Sequence, residues 1–428
     1  MWLPNLADVA WLTQQLSHHA AALGLPGPVA TVELLDARLT HPHRPESPRC
    51  RGWATCLATP DDGPPVQLYV KGYPDRGTSE AAWLHDRRQR PEARSTHLPD
   101  LDLVVWRFPE DPRLPTLPTL VAPGAAARVL PPGVRDVLGL PAGVEPRVTV
   151  VRYQPEASIT LRLEAGFDSA PAVFAKHLAE GDVAEIGARH QALWSMSDPR
   201  RGLRIAEPLA VDPARGVLWT RGVGGLPLTE SVAADGLPTA TRPLGAMLAA
   251  LHATPVTTTD EVGVDALLVE ARKKADKLVR AHPAIAPLVA DLVTTATRRR
   301  DDIVRARVGA LHGDFHLDQL VSSQHGPVLV DLDAMVHGPP ELDLAEFLVD
   351  LALRDLPETV TRKVARELLA SYATASGSPV DAALLAVCAD AEFLNRCYRH
   401  LRRHSPGWQS DLEAELGRQA AVASLLRC

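Results

Sequence analysis

The chain contains 428 residues, of which 46% are hydrophobic and 23% are charged, and its formal net charge at pH 7 is −7. This composition excludes a mainly disordered or fibrous chain, and the absence of a broad basic field argues against a nucleic-acid partner. At about 150 residues per domain, the length predicts two or three domains.

The sequence also lacks the pattern of a membrane or secreted protein. No apolar run approaches the length of a membrane span, and the first residues show no basic segment followed by an apolar core. The five cysteines are odd in number and include no CxxC pair, which argues against a disulfide framework. We therefore expect a cytoplasmic protein without a membrane partner.

The first 140 residues are rich in proline and predict a separate N-terminal unit. A short helix opens the chain, and strands are predicted at Val66–Val70 and Leu103–Phe108. Residues 109–132 contain many prolines and are interpreted as a connector. We assign residues 1–140 to a cap or accessory domain.

Residues 141–222 predict a second strand-rich unit. Strands at Arg147–Tyr153 and Ile159–Leu163 flank the turn QPEAS, and a third strand, Ala172–Ala175, ends at Lys176. A helix follows from about Asp182 to Met196. The same order of strand, lysine, polar turn and helix occurs at residues 68–88, around Lys71. This similarity reflects either a duplicated unit or a common local pattern.

Residues 223–428 are mainly helical. Apolar residues at helical spacing fill the segment LGAMLAALHATP, and residues 264–306 predict a long charged helix that breaks near Pro283. A polar loop and a short hairpin interrupt the helices over residues 311–333, and helices resume at Leu342. The complete pattern predicts an α+β fold.

The densest polar cluster of the chain is the segment LHGDFHLDQ, residues 311–319. A predicted hairpin follows it and ends at Asp331. Such a hairpin would fold Asp331 back beside Asp314, so that the two carboxylates face one cleft. Two carboxylates in a cleft suit a hard divalent cation and a base for a hydroxyl proton, although single aspartates in loops often only cap turns.

The run HGDFHLDQL…VLVDLDAMVHGPPELDLAEF resembles the catalytic segment of the aminoglycoside phosphotransferase family, which is similar to protein kinases. The resemblance implies a bilobal kinase-like fold, with a strand-rich N-lobe at 141–222, a helical C-lobe at 223–428, and ATP and Mg²⁺ as cofactors. It implies that Asp314 is the catalytic base and that Gln319 and Asp331 bind Mg²⁺. His312 would brace the loop, and Asp343 would anchor the following helix.

The resemblance also implies a nucleotide site in the N-lobe. Lys176 matches the strand lysine that grips the α- and β-phosphates, with Glu185 as its first candidate partner and Glu180 as the second. No GxGxxG is present, and the turn QPEAS occupies the place of the loop that covers the phosphates. Ser158 in this turn would contact phosphate. Thr220 lies where the adenine would meet the backbone.

Gln319 departs from the family pattern, which usually has Asn at this position. The chain contains only two Asn residues, which offers a compositional explanation. The loop with Gln also resembles that of maltokinases and related sugar kinases, which carry an N-terminal cap. An arginine-rich segment at residues 391–404 either lines the acceptor site or forms a solvated face.

These patterns favour an ATP-dependent phosphotransferase that phosphorylates a hydroxyl of a small molecule, first a sugar or aminosugar and second an antibiotic. A non-catalytic, nucleotide-binding kinase-like protein is the first alternative. The second alternative is a metallohydrolase that uses His312, Asp314 and His316 as metal ligands. The sequence leaves the oligomeric state open.

Overall fold

The computed structural model describes residues 5–44, 47, 49–122, 124–141, 143–166, 171–179, 181, 183–197, 202–256, 258, 260–301, 303 and 306–427. The strands are β1 Val29–Thr40, β2 Arg51–Pro60, β3 Val66–Gly72, β4 Ser95–Leu98, β5 Leu103–Arg107, β6 Arg147–Gln154, β7 Ser158–Glu164, β8 Val173–Leu178, β9 Pro208–Asp212, β10 Val217–Arg221, β11 Gly309–Leu311, β12 Leu320–Val321, β13 Val328–Leu329 and β14 Val336–Gly338. The helices are α1 Val9–His18, α2 Arg76–Gln89, α3 Leu117–Val121, α4 Ala126–Val129, α5 Pro132–Leu138, α6 Val183–Met196, α7 Leu228–Ser231, α8 Leu237–Thr241, α9 Leu244–His252, α10 Val264–Ala281, α11 Ala286–Asp301, α12 Glu341–Leu353, α13 Glu358–Ser376, α14 Ala382–Arg403, α15 Trp408–Leu416 and α16 Gln419–Leu425.

The first five strands form one antiparallel sheet in the order β1-β2-β3-β5-β4. The helix α2 connects β3 to β4, and α1 packs against β1. Apolar side chains of α1, β1, β2, β3 and β5 form the core of this unit. Because strand neighbours alternate between the two faces of a sheet, the apolar residues of each strand reach this core from one face. We call this unit the cap.

The next five strands repeat the same arrangement, in the order β6-β7-β8-β10-β9, with α6 between β8 and β9. The two lysines singled out in the sequence hold matching registers. Lys71 is paired with Val104, the second residue of β5, and Lys176 is paired with Leu218, the second residue of β10. The shared order and register favour a duplicated unit over a chance likeness of local pattern.

The proline-rich segment after β5 is not a bare connector. It forms the short helices α3, α4 and α5, and its apolar residues share a core with β7, β8 and β10 of the second sheet. Leu114 and Leu138 are fully buried there. The packing therefore places residues 114–140 with the second sheet, whereas the sequence had assigned them to the cap. Prolines at the starts of α3 and α5 fit helix N-termini, where no amide donor is lost.

The C-terminal half is a helical lobe built around α9, α12 and α14, with the other helices packed outside them. Helix α12 is apolar on most sides because it lies in the centre of this lobe. Two small two-stranded sheets, β11–β14 and β12–β13, carry the polar loop across the surface of the lobe that faces the second sheet. A strand-rich half joined to a helical half confirms the predicted α+β fold. In the described part of the chain, no helix has both the length and the apolarity required to cross a membrane.

Candidate active site

The segment His312-Gly313-Asp314 leaves β11 through a tight backbone turn. Gly313 has φ +80°, and a Cβ at this position would lie 2.2 Å from the carbonyl oxygen of Ala334. A side chain would collide with this backbone atom, and the positive φ independently disfavours a non-glycine residue. The glycine therefore permits the loop to lie directly against the segment that follows Asp331.

Asp343, fully buried at the start of α12, anchors this loop. Its carboxylate accepts hydrogen bonds from the backbone N–H groups of His312 (2.7 Å) and Gly313 (3.0 Å) and from Nε2 of His252 (3.0 Å). Burial opposes ionisation, but the bonds from His252 and His312 prevail and hold the pKa of Asp343 below its ordinary value. His252, at the end of α9, was not singled out from the sequence, although its helix was predicted.

His312 braces the loop with both ring nitrogens. Nε2 lies 2.9 Å from the carbonyl oxygen of Val330, and Nδ1 accepts a 3.3 Å hydrogen bond from the N–H of Asp314. The ring therefore has no lone pair available for a metal. Within the described residues, no group of three or more His, Cys, Asp or Glu side chains is arranged to hold a metal ion. The hydrogen bonds of His312 therefore argue against this residue as a metal ligand, as the metallohydrolase alternative requires.

Asp314 projects into the cleft, with 46% of its side chain exposed. Its Oδ2 lies 3.6 Å from Nε2 of His316, whose Nδ1 lies 3.6 Å from the carboxylate of Asp318. Burial disfavours the charge on His316, but the two carboxylates outweigh it and raise the pKa of His316 to about 9. Burial likewise opposes ionisation of Asp314, yet the contact with His316 lowers the pKa of Asp314. Asp314 is therefore ionised at neutral pH and can accept a hydrogen bond from a hydroxyl.

Lys176 joins the second sheet to the C-terminal lobe. Its Nζ contacts Oδ1 of Asp331 and lies 2.6 Å from Oδ1 of Asp333. Burial raises the pKa of Asp333, and the hydrogen bond between Asp333 and Asp331 raises this pKa further, to about 6. The pKa of Asp331 lies below its ordinary value because its hydrogen bonds with Asp333 and Lys176 outweigh burial. The structure thus brings Lys176 and Asp331 together and adds Asp333, which the sequence analysis did not single out.

Gln319 is buried beside the same hairpin. Its backbone carbonyl accepts a hydrogen bond from Val330, the residue before Asp331, at 3.0 Å, and its Nε2 lies 3.4 Å from Nε2 of His316. Gln319 and Asp331 are therefore neighbours across the hairpin and offer an amide and a carboxylate oxygen. Mg²⁺ prefers oxygen ligands and is commonly held by one or two carboxylates together with substrate phosphates, so these residues fit that ion.

The structure does not pair Glu185 with Lys176. Oε1 of Glu185 lies 4.0 Å from Nη1 of Arg189, one turn further along α6. Nη2 of Arg189 donates a 3.1 Å hydrogen bond to the backbone carbonyl of Asp333. The partners of Lys176 are instead the carboxylates of Asp331 and Asp333. Helix α6 contacts this site through Arg189 rather than through Glu185. The second candidate, Glu180, lies outside the described residues.

The remaining nucleotide candidates lie on the strands around Lys176. Ser158 begins β7 opposite Leu178 of β8, and Thr220 of β10 lies opposite Phe174 of β8. Between β6 and β7, Glu156 adopts a φ of +59° and its carboxylate lies 2.5 Å from Nζ of Lys71 in the cap. This ion pair neutralises the one acidic side chain of the turn QPEAS, which the sequence analysis expected to lie over the phosphates.

A cleft of about 580 Å³ opens beside Asp314. All three units contribute to it: β1 of the cap, β6 of the second sheet, and the polar loop, α12 and α14 of the helical lobe. The residues that line it are Arg38, Arg152, Gln154, Asp314, His316, Asp318, Gln319, Asp350, Asn395, Arg396, Tyr398, Arg399, Arg402 and Arg403. Arg38 and Arg152 were missed in the sequence because no local motif marks them.

Comparison with known proteins gives one family match. Residues 198–384 match the model of the phosphotransferase enzyme family (APH), which covers the polar loop, α12 and α13. No curated protein sequence matches the chain. The match confirms the predicted resemblance to aminoglycoside phosphotransferases over this segment.

Solved structures with related folds are distant in sequence. Aminoglycoside phosphotransferase APH(3'')-Id from Streptomyces rimosus is 19% identical, with 58% of this chain and 92% of that chain covered and a TM-score of 0.42. A choline/ethanolamine kinase family protein from Mesorhizobium loti is 17% identical, with coverages of 68% and 93% and a TM-score of 0.46. Spectinomycin phosphotransferase APH(9)-Ia, solved with ADP and spectinomycin, is 12% identical, with coverages of 67% and 94% and a TM-score of 0.47. The family match over residues 198–384 therefore shows that this segment is similar to the phosphotransferase enzyme family.

Proposed function

We propose that this protein is a phosphotransferase that transfers the γ-phosphate of ATP to a hydroxyl of a sugar or aminosugar. The observation that carries the proposal is the contact of Lys176 with Asp331, which directly follows Val330. The N–H of Val330 donates a hydrogen bond to the carbonyl of Gln319, and Gln319 lines the open cleft beside Asp314. A nucleotide bound at Lys176 and an acceptor bound in the cleft would then meet at Asp314.

The residues divide the work of phosphoryl transfer between binding and orientation. Lys176 is the cation available to the α- and β-phosphates, which would replace Asp331 and Asp333 as its partners. Asp331 and Gln319 would hold Mg²⁺, which neutralises phosphate charge when it is bound. Ser158 and Thr220 would contact the phosphates and the region of the adenine from the second sheet.

Asp314 would orient the acceptor hydroxyl and take its proton as the phosphate is transferred. Its pKa is lowered by His316, so it is ionised before the acceptor binds. His312 and Asp343 hold the backbone of the loop, which fixes the direction of the Asp314 side chain. A polyhydroxylated acceptor suits the many hydrogen-bonding side chains of the cleft, and the resemblance of the Gln319 loop to sugar kinases also supports a sugar.

The test is ADP release from Mg²⁺-ATP over a panel of sugars, aminosugars, aminoglycosides and amino alcohols, with Asp314→Asn beside the wild type. We expect one acceptor class to stimulate ADP release, and loss of the base to reduce the rate by about 100-fold or more. Asp411→Asn, at an exposed position in α15, is the matched control and should retain the wild-type rate.

Nucleotide binding is followed separately, as the rise in melting temperature produced by ATP. Asp314→Asn should keep this rise, because Asp314 does not contact the phosphates in the proposed arrangement. Normal turnover by Asp314→Asn would overturn the assignment of the base. Protection by ATP without acceptor-dependent ADP release from any member of the panel would instead support a nucleotide-binding protein that transfers no phosphate.

A further inference from the structure

The cleft beside Asp314 is strongly cationic. Six of its lining residues are arginines, against three aspartates, although the whole chain carries a net charge of −7. His316 adds a further positive charge at neutral pH, because its pKa is raised to about 9 by Asp314 and Asp318, against the effect of burial. The positive charge is therefore concentrated at this one concave surface.

Internal ion pairs account for only part of this charge. Arg396 is neutralised within α14 and α12, since its Nε lies 2.7 Å from Glu392 and its Nη1 lies 3.2 Å from Asp350. Four other arginines of the cleft make no ion pair with a carboxylate within the described residues. They are Arg152, Arg399, Arg402 and Arg403. Their guanidinium groups remain available to a ligand.

The cap contributes the sixth arginine. Nε of Arg38, in β1, lies 3.3 Å from the carboxylate of Asp36. With the side-chain amide of Gln154 oriented so that its oxygen faces the arginines, Nη2 of Arg38 lies 3.2 Å from that oxygen. The same oxygen accepts from Nη2 of Arg152 at 2.7 Å. One amide thus holds a guanidinium of the cap beside a guanidinium of the second sheet.

The like charges around Arg38 are close enough to act on it. Burial lowers the pKa of Arg38, and Arg402, Arg152 and Arg403 lower it further, while Asp36 opposes them. A merely solvated arginine face would spread its side chains into water. Here β1, β6 and α14, from three parts of the fold, direct arginines into one cleft, which costs electrostatic energy unless an anion occupies it.

We propose that the acceptor is an acidic sugar, whose anionic group is bound by Arg38, Arg152 and Arg402 while one of its hydroxyls lies at Asp314. This proposal rests on the phosphotransferase function proposed above and narrows its acceptor. The planar guanidinium group can donate two parallel hydrogen bonds to a pair of carboxylate or phosphate oxygens, so either anion satisfies the site. Acceptors rich in ammonium groups are disfavoured there by the unpaired arginines.

The proposal also gives the cap a role. The cap repeats the strand order of the second sheet, but its lysine, Lys71, is paired with Glu156 rather than with the carboxylates beside Asp314. Its β1 strand packs against α14 and presents Arg38 to the acceptor side of the cleft. The cap therefore takes part in acceptor recognition, while its Lys71 is occupied by the ion pair with Glu156.

The experiment measures acceptor binding to the full chain by titration calorimetry, with saturating ADP present so that the nucleotide site is filled. The probes are D-glucuronate and D-glucose 6-phosphate, compared with D-glucose and D-glucosamine, which separates carboxylate, phosphate, neutral and cationic forms of one scaffold. We expect at least one acidic probe to bind about tenfold or more tighter than D-glucose, and its affinity to fall as salt is raised. D-glucosamine should bind more weakly than D-glucose.

Variants locate the anionic group. Arg38→Gln and Arg402→Gln should each reduce the preference for the acidic probe over D-glucose by about fivefold or more, because a charge-assisted hydrogen bond is lost. Arg366→Gln, an exposed arginine of α13 outside the cleft, is the matched control and should leave the preference unchanged.

The outcomes separate this proposal from the proposed function. If neither acidic probe binds, or D-glucose or D-glucosamine binds as tightly, the anionic acceptor is refuted, even if ADP release with another acceptor upholds the phosphotransferase. If an acidic probe binds and the two arginine variants lose it, but ATP is not consumed, the anion site stands and the proposed reaction fails.

Discussion

Replacing Asp343 by Ala tests how the polar loop at His312 and Gly313 is held. The change leaves three buried donors without their acceptor: the N–H groups of His312 and Gly313, and Nε2 of His252. Each unsatisfied buried donor costs about 1–3 kcal/mol, while removal of the buried carboxylate recovers part of this sum. We therefore expect the free energy of unfolding to fall by about 3–5 kcal/mol, the range found when one partner of a buried charged pair is removed.

Urea unfolding followed by circular dichroism measures this loss, and ADP release measures its effect on the reaction. Asp343→Asn keeps one acceptor oxygen and should fall between the wild type and Asp343→Ala in both measurements. The kcat should fall by a larger factor than the KM for ATP changes, because the loop that positions Asp314 is loosened while Lys176 is unaffected. Asp411→Ala, exposed in α15, should change stability by no more than about 0.5 kcal/mol. A loss below about 1 kcal/mol in Asp343→Ala, with kcat unchanged, would refute the anchoring role.

Two further predictions concern charged contacts. Lys176→Met should weaken ATP binding by about tenfold or more, because a charge-assisted contact to phosphate is lost, whereas Lys71→Met, at the matching register of the cap, should weaken it by less than about threefold; equal effects in calorimetric ATP titrations would contradict the assignment of Lys176. The pKa of His316 is raised from 6.5 to about 9, so its charged contacts stabilise the fold fully below pH 6.5 and are lost as the pH rises through about 9. The stability difference between wild type and His316→Gln in urea should shrink by about 2 kcal/mol between pH 6.5 and pH 10, allowing for solvent screening at the half-exposed Asp314, and a constant difference would show that the charge is not held there.

The local features of the site followed from the sequence. The segment from Asp314 to Asp331, which includes Gln319, is eighteen residues long. A short hairpin has few possible turn geometries, so it brings the end of this segment back beside its beginning in only a few arrangements. The positions of His312 and Asp343 likewise depend on the backbone next to them. Helices with clear apolar periodicity, such as α6 and α9, were also predicted within a few residues of their ends.

The strand order of the cap was not predicted. In its strands β1 and β2, apolar and polar residues alternate only weakly along the sequence, so the strands are hard to distinguish from loops. Residues 109–132 were interpreted as a connector because prolines interrupt every short periodic run. Only contact with the second sheet turns these residues into packed helices, since burial of Leu114 and Leu117 offsets their weak intrinsic preference.

The sequence by itself determined the α+β class, the polar loop and the phosphotransferase resemblance, because each depends on residue types at short, fixed spacing. Tertiary structure decided which distant charges meet. It gave Lys176 the partners Asp331 and Asp333 in place of Glu185, and it joined Lys71 to Glu156. It also brought arginines from β1, β6 and α14 into one cleft. Such pairings depend on how whole sheets and helices pack, and no local pattern of residues encodes the distance between segments that lie 85 or more positions apart.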